Sequence, residues 1–445
     1  MIQNRDHLAR TDAHELALAC IGAGIEAARP DRAIAESLDR QDNTLTVSGS
    51  TFDLDDYAEV VVVGGGKASA QMALAVEAQL GDLVSTGVVV TNDPQQTESV
   101  RVVEGSHPTP DADGQAGAER ILALAAEATA DQLIICLISG GGSALLPAPA
   151  AGIELADLQS VTDDLLESGA SIDEINAVRK HLSGIKGGQL ARAAAPATVL
   201  GLVVSDVVGN DLSVIASGPI TPDESTYQDA YDTLRRYGIV APAAVSERLE
   251  RGLAGDLPET PGPRHAAFDH VHVHILADSM TALDAAATVV DDTEYTPVIL
   301  STQVEGEARE SARTHVAIAN EASETGNPVD PPAVFLSGGE TTVTVRGDGV
   351  GGPNQEFALS GALLLADGLV LGSVDTDGSD GATDAAGSLV DRGVVDDPGA
   401  ARDALADNDA YSYLDDRNGL VLTGPTGTNV NDLRVMVVPE SAHSD

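Results

Sequence analysis

Lysine is nearly missing from this chain of 445 residues: Lys67, Lys180 and Lys186 are the only three among 24 basic residues. Tryptophan is absent, and Phe and Tyr number only 4 and 7. Against this scarcity stand 70 Asp and Glu, which bring the net charge to −46. The shortage of clustered cations excludes a general nucleic-acid binder, because phosphate backbones are held by Lys and Arg. It also argues against docking on an anionic membrane. The balance points to a salty cytoplasm. At ~1 M salt the Debye length is only about 3 Å, so surface carboxylates stop repelling one another strongly. At low salt the same charge works against the compact state. An ordinary acidic protein would keep lysine among its commoner residues.

Cysteine is scarce too. Cys20 and Cys136 make no disulfide framework and fit a reducing compartment. Arg5, Asp6, Arg10, Asp12 and Glu15 precede any apolar stretch, which does not read as a signal peptide, so the expected location is cytoplasmic. Residues 133–153 carry no charge over 21 positions, but Gly140, Gly141, Gly142, Pro147 and Pro149 would break a membrane-spanning helix. A buried strand followed by a loop is the better reading.

What the chain does have is alternation. Apolar runs at 59–63, 87–91, 132–138 and 198–204 read as strands buried on both faces. Segments 67–80, 114–130 and 155–168 read as helices between them. The turn-rich stretch 252–270 reads as a linker. Beyond it come strand 271–276, helix 281–290, strand 298–300, helix 305–323, strand 333–336, an alternating exposed strand at 341–345, and strands 369–374, 419–422 and 433–438. The expectation is an α/β protein of two α/β domains, residues 1–255 and 266–445. The first has a mainly parallel sheet, and the second has a mixed sheet.

The loops after these strands carry the chemistry. They include Gly64-Gly65-Gly66-Lys67, Ser139-Gly140-Gly141-Gly142-Ser143 and Asp375-Thr376-Asp377-Gly378-Ser379-Asp380. Ligands of open α/β sheets bind at the carboxyl ends of strands. The first run is not a P-loop, because Val61 stands where the first glycine belongs, and Ser69 spoils a dinucleotide fingerprint. Glycines after a strand still let backbone N–H groups face an anion at a helix start, and Lys67 adds a charge there. Ser139 to Ser143 offer a second nest of N–H groups. Arg179, Lys180 and Lys186 form the densest basic patch. Arg179 and Lys186 share a face if the helix persists that far, which suggests a multiply charged anion. Asp375, Asp377 and Asp380 suit magnesium held with substrate phosphates better than calcium. His270, His272 and His274 alternate on one strand face and form a weaker metal candidate. No Gly-x-Ser-x-Gly nucleophile elbow occurs. Phosphate-binding glycines, a lysine and carboxylates for a metal are the equipment of phosphoryl transfer.

These runs, together with Ser106-His107-Pro108, Val178-Arg179-Lys180-His181, Ser205-Asp206-Val207, Ile215-Ala216-Ser217-Gly218-Pro219, Ser337-Gly338-Gly339-Glu340, Asn354-Gln355-Glu356 and Thr383-Asp384-Ala385-Ala386-Gly387, resemble the glycerate 2-kinase family over nearly the whole chain. Some members of that family are labelled hydroxypyruvate reductases. The resemblance implies a Rossmann-like first domain, a mixed-sheet second domain, and phosphorylation of the 2-hydroxyl of D-glycerate by ATP with Mg²⁺ in a cleft between them. It implies catalytic roles for Lys67 and Asp206 and substrate contacts from Arg179, Glu340 and Asn354. It implies nucleotide or phosphate contacts from Gly65, Gly66, Ser139, Gly140, Gly141, Gly142, Ser143, Lys180 and Lys186, and metal contacts from Asp375, Asp377 and Asp380. A homodimer is one assembly it allows. Two departures stand out. Pro353 replaces the family's usual basic residue, with Arg346 and Arg392 as candidate substitutes, and Asn210 replaces an acidic residue. The alternatives are an NAD(P)H-dependent hydroxypyruvate reductase and a non-catalytic nucleotide or sugar-acid sensor.

Overall fold

Residues 1–440 are described by a computed structural model of the chain. They form two compact units, Ala33–Leu276 in one and Met1–Arg32 with residues 277–440 in the other.

In the first unit the valine- and isoleucine-rich runs become six strands: β1 Glu59–Gly65, β2 Val84–Thr91, β3 Val100–Glu104, β4 Gln132–Ile138, β5 Thr198–Val204 and β6 Val271–Ala277. Their order is β3-β2-β1-β4-β5-β6. The pairings from β3 through β5 are all parallel. Helices α1 Ser69–Leu80, α2 Ala112–Ala126, α3 Leu155–Ser168 and α4 Ile172–His181 belong to the same unit. Their starts are fixed locally: Asp111 caps α2 by accepting from the Gly114 N–H at 2.8 Å, and Ser171 with Glu174 forms a capping box on α4. The strand order reverses between β1 and β4, and at such a switch point the loops leaving the two strands border a ligand crevice.

Three expectations about organisation change. The helix Asp12–Ala27 packs in the second unit, where Leu18, Ile21 and Ile25 share a core with Leu283, Val334 and Val435. Residues after Leu253 are not a free linker. Glu259 Oε2 lies 3.0 Å from His181 Nε2, and Thr260 donates to Asp223 at 2.7 Å. The strand at 271 closes the first sheet instead of opening the second domain, and the Val199 N–H donates to the His270 carbonyl at 2.9 Å. His272 packs edge-on to Phe52 at 5.3 Å, which is a packing role and not a metal site.

The second unit contains α5 Ser279–Asp291, β7 Thr296–Glu307, α6 Ala308–Thr325, β8 Ala333–Thr342, α7 Pro353–Ala362, β9 Val370–Asp375, β10 Gly387–Asp391, β11 Leu420–Val421 and β12 Asp432–Val438. The order β7-β8-β12-β9-β10-β11 makes a mixed sheet: β7 and β8 are parallel and the other pairings antiparallel. The expected strand at 341–345 is only the end of β8, and residues 343–345 pair with nothing in the sheet. Among the described residues no helix is long and apolar enough to cross a membrane. Cys20 and Cys136 are buried, and burial pushes both thiols up to about 12, which leaves them inert packing groups.

Candidate active site

The glycines at the end of β1 serve packing, not an anion. A β-carbon on Gly64 would meet the Leu137 carbonyl oxygen at 2.0 Å, and one on Gly66 would meet Ser139 Oγ at 2.2 Å. The neighbouring N–H groups are engaged inside the protein: Gly66 donates to Val90, Lys67 to Gly140, and Ala68 to Ser139 Oγ. Gly65 is likewise filled, with the Leu146 side chain 2.6 Å from where its β-carbon would sit. Gly65, Gly66 and Ser139 therefore hold β1 against β4 and present no phosphate cradle.

The chemistry gathers on the next turn. Gly141 adopts φ +77°, and its β-carbon position lies 3.0 Å from His107 Cδ2 and 3.1 Å from Lys67 Cγ. On the other side the Asp206 carboxylate presses on Gly140. Burial raises the Asp206 carboxyl above its usual range, and the nearby Lys67 cation partly opposes this. Burial and then Lys67 lower His107. Gly142 packs on Ala216, whose φ of +51° is followed by +60° at Ser217. Two non-glycine residues held left-handed in succession store strain, a feature that clusters at functional sites.

Beside this turn lies a cavity of about 220 Å³. Pro108, Pro110, Pro147, Leu158 and Leu166 give it apolar walls, and His107, Ser143, Arg179, Ser183 and Lys186 give it polar ones. Drug-sized ligands occupy roughly 300–1,000 Å³, so this volume suits something smaller. Helix α4 ends at His181, so Arg179 and Lys186 do not share a helical face, yet the following turn brings both to the cavity. Lys186 Nζ donates to the carbonyls of Ser143 at 2.8 Å and Leu146 at 3.2 Å. Burial, and then Arg179, lowers it to about 7. Lys180 leaves the site. Its Nζ pairs with Asp223 Oδ1 at 3.1 Å, and the two residues are 5% and 3% exposed. In the sequence His107 stands only within the Ser106-His107-Pro108 run, which assigns it no role.

In the second unit, Asp380 accepts from the backbone N–H groups of Asn354 and Gln355 at 2.9 and 2.8 Å, which caps α7. Both oxygens are thus engaged, and burial raises the carboxyl to about 7. Asn354 donates to Asp432 at 2.6 Å and accepts from Ser373 at 2.6 Å. It orients this cluster and is only 1% exposed, so it does not face a ligand. Arg434, fully buried, pairs with Asp432 and lies over the Phe357 ring. Arg392 turns to Leu365 and Asp367, beyond the far end of α7, and does not stand in for a basic residue at 353. Glu340 is exposed near the end of β8. Among the described residues no group of three or more His, Cys, Asp or Glu is arranged to hold a metal ion. Asp380 does not fit that role. Asp375 accepts from the Asp377 N–H at 3.0 Å and Asp377 from the Ser379 N–H at 2.9 Å, and burial raises the Asp375 carboxyl well above its usual range; magnesium that is held mainly by phosphates needs only one or two carboxylates.

Comparison with known proteins gives a consistent result. Residues 16–250 match a domain of unknown function, DUF4147, and residues 333–432 match the MOFRL family. The D-glycerate 2-kinase of Thermotoga maritima is 39% identical over 436 residues, covering 95% of this chain and 98% of its own. A protein of Agrobacterium vitis provisionally named a hydroxypyruvate reductase is 45% identical over 392 residues, 85% of this chain and 99% of its own. The crystal structure of a glycerate kinase from Thermotoga maritima superposes with a TM-score of 0.84 at 38% identity, covering 95% of this chain and 99% of that one.

Proposed function

The chain belongs to the glycerate 2-kinase family and is a phosphotransferase, and from that premise we propose how its own residues act on D-glycerate. The observation that carries the assignment is the meeting of Lys67, His107 and Asp206 on the turn at Gly140 and Gly141, beside a small cavity with a cationic wall. The substrate carboxylate lies on Arg179, whose planar fork suits it. Asp206, raised by burial, takes the proton of the 2-hydroxyl. The 2-oxygen then bonds to the γ-phosphorus of ATP as the bond from that phosphorus to the ADP oxygen breaks. Lys67 neutralises charge on the transferring group, and electrostatic positioning of this kind does most of the work in phosphoryl transfer. The 140–143 turn supports the phosphoryl group. Within the second unit, Asp375 and Asp377 would hold Mg²⁺, an ion that neutralises phosphate charge. The setting is a salty cytoplasm.

The test is turnover in molar KCl with D-glycerate, ATP and Mg²⁺. The expected product is 2-phosphoglycerate, identified by phosphorus NMR. Formation of the 3-phosphate, or no product alongside oxidation of NAD(P)H by hydroxypyruvate, would replace this reading with another.

A further inference from the structure

Three polar side chains of the 220 Å³ cavity are already engaged within the protein. Lys186 Nζ is held by the carbonyls of Ser143 and Leu146 at 2.8 and 3.2 Å. Ser183 Oγ accepts from the Ile185 and Lys186 N–H groups at 3.1 and 3.2 Å, and Ser143 Oγ lies 2.7 Å from Ser217 Oγ. Thr162, Arg179 and His107 line the same cavity, and among the described residues no hydrogen bond or ion pair takes up their side chains. Thr162 stands between Leu158 and Leu166 at a spacing of four on α3, within the apolar wall. Arg179 is a half-buried cation that burial lowers and no carboxylate opposes, so its counter-charge has to come from a ligand. His107 alone of the three also borders the turn at Gly140 and Gly141. Its Nε2 lies 3.3 Å from the position a Gly141 β-carbon would take, and Lys67 Cγ lies 3.1 Å from the same point. Burial and then Lys67 hold the imidazole below its usual 6.5, so the ring is neutral at pH 7. A neutral ring carries one N–H, and with no protein partner to fix the tautomer either nitrogen can present it to a ligand.

The inference that follows rests on the glycerate reading above, with the substrate carboxylate on Arg179 and the transferring phosphoryl group at Lys67. The 2-oxygen is carried by the carbon next to the carboxylate and has to face the phosphoryl group. It therefore lies between Arg179 and Lys67, and His107 is the uncommitted side chain that adjoins both the cavity and Lys67. We propose that His107 is a catalytic residue whose Nε2–H donates a hydrogen bond to the 2-oxygen of the substrate. That oxygen gives its own hydrogen to Asp206 and its remaining lone pair to the γ-phosphorus, and no proton leaves His107. Negative charge builds on the 2-oxygen as its proton departs, and a donor already aimed at that atom stabilises it most at that moment. Arg179 and His107 together recognise the unit common to 2-hydroxy acids, a carboxylate with a hydroxyl on the neighbouring carbon.

Three variants separate this role from packing. His107→Leu removes both ring nitrogens and should lower kcat for D-glycerate on the order of 10²-fold, with a smaller change in KM. His107→Gln places an amide N–H near the Nε2 position and should recover about tenfold of that loss, the scale of one net hydrogen bond. His107→Asn reaches only as far as Nδ1 and should recover little. Competing ligands read the same contact without turnover. D-lactate keeps the carboxylate and the 2-hydroxyl, whereas 3-hydroxypropionate keeps the carboxylate and lacks the 2-hydroxyl. In His107→Leu the inhibition constant of D-lactate should rise by about 5-fold and that of 3-hydroxypropionate should stay within about twofold. Equal changes for the two ligands, or a leucine variant with most of its kcat, would overturn the inference. So would a glutamine variant no more active than the asparagine one, a contrast that still decides the matter if His107→Leu does not fold. A wild type that fails to phosphorylate D-glycerate would instead sink the parent reading, a result obtained before any variant is compared.

Discussion

Asp206 lies so close to Gly140 that a β-carbon added to the glycine would meet its Oδ2 at 1.9 Å. The two residues come from loops after different strands, and the missing side chain on one sets the position of the carboxylate on the other. Gly140→Ala should push the carboxylate aside while sparing the fold, because only the end of a side chain has to move. Misplacing a reacting group by about 1 Å can cost ~10²-fold, so kcat should fall by about that much with an unchanged circular dichroism spectrum. Near-normal kcat would remove Asp206 from the reaction.

Lys67 should behave as a group that acts in the transition state. Lys67→Ala should lose on the order of 10²–10³ in kcat with a smaller change in KM. Lys67→Arg should be nearly as damaged. The lysine stem runs 3.1 Å from the position a Gly141 β-carbon would take, which leaves little width for a planar guanidinium. Steady-state kinetics on both variants decide this, and an arginine variant with most of its kcat intact contradicts the role.

Lys180 should show the opposite pattern. It is buried in an ion pair with Asp223, which also accepts from Ser225 and Thr260. Removing one partner of such a pair leaves an uncompensated buried charge and costs ~3–5 kcal/mol. Lys180→Met should lower the unfolding midpoint markedly while the folded fraction keeps its kcat. A large fall in kcat at unchanged stability would return Lys180 to the active site.

The strands were legible where burial on both faces leaves an unbroken apolar run, as in Gln132–Ile138 and Thr198–Val204. The roles of the glycines were not. A glycine that lets two strands approach, like Gly66, and one that frees a turn beside catalytic groups, like Gly141, are the same letter, and only the neighbours across β4 separate them. Lysine scarcity marked three positions of interest, but Asp223, 43 residues from Lys180, decides that one of them is structural. The partner of the helix Asp12–Ala27 lies beyond residue 280, which no local pattern reports.

The net charge of −46 sets a prediction about salt. Dialysis from molar KCl to about 50 mM lengthens the screening distance severalfold and restores repulsion among surface carboxylates. The protein should lose its compact state and its activity, with partial protection by substrate, which binds only the folded form. Full activity retained in dilute buffer would show that the composition has another origin.

Lys186 supplies the pH dependence. Its ammonium is lowered from 10.5 to about 7 in the fold, by burial first and then by the Arg179 cation. Between about pH 7 and 10.5 the unfolded chain therefore binds the extra proton and the folded one does not. Stability rises with pH wherever the unfolded state binds more protons, so this residue makes unfolding harder as pH climbs through that window. Below pH 7 both states are protonated and the cost of burying the charge is present in full. The slope attributable to one such group is at most ~1.4 kcal/mol per pH unit. Lys186→Met removes the titration, so denaturation free energies measured in molar KCl from pH 6.5 to 9.5 should rise more steeply for the wild type than for the variant. A bound carboxylate or phosphate beside Arg179 favours the charged lysine, so saturating D-glycerate should shrink the difference in slope. Parallel pH profiles for the two proteins would mean that Lys186 stays charged in the empty cavity, held by the carbonyls of Ser143 and Leu146.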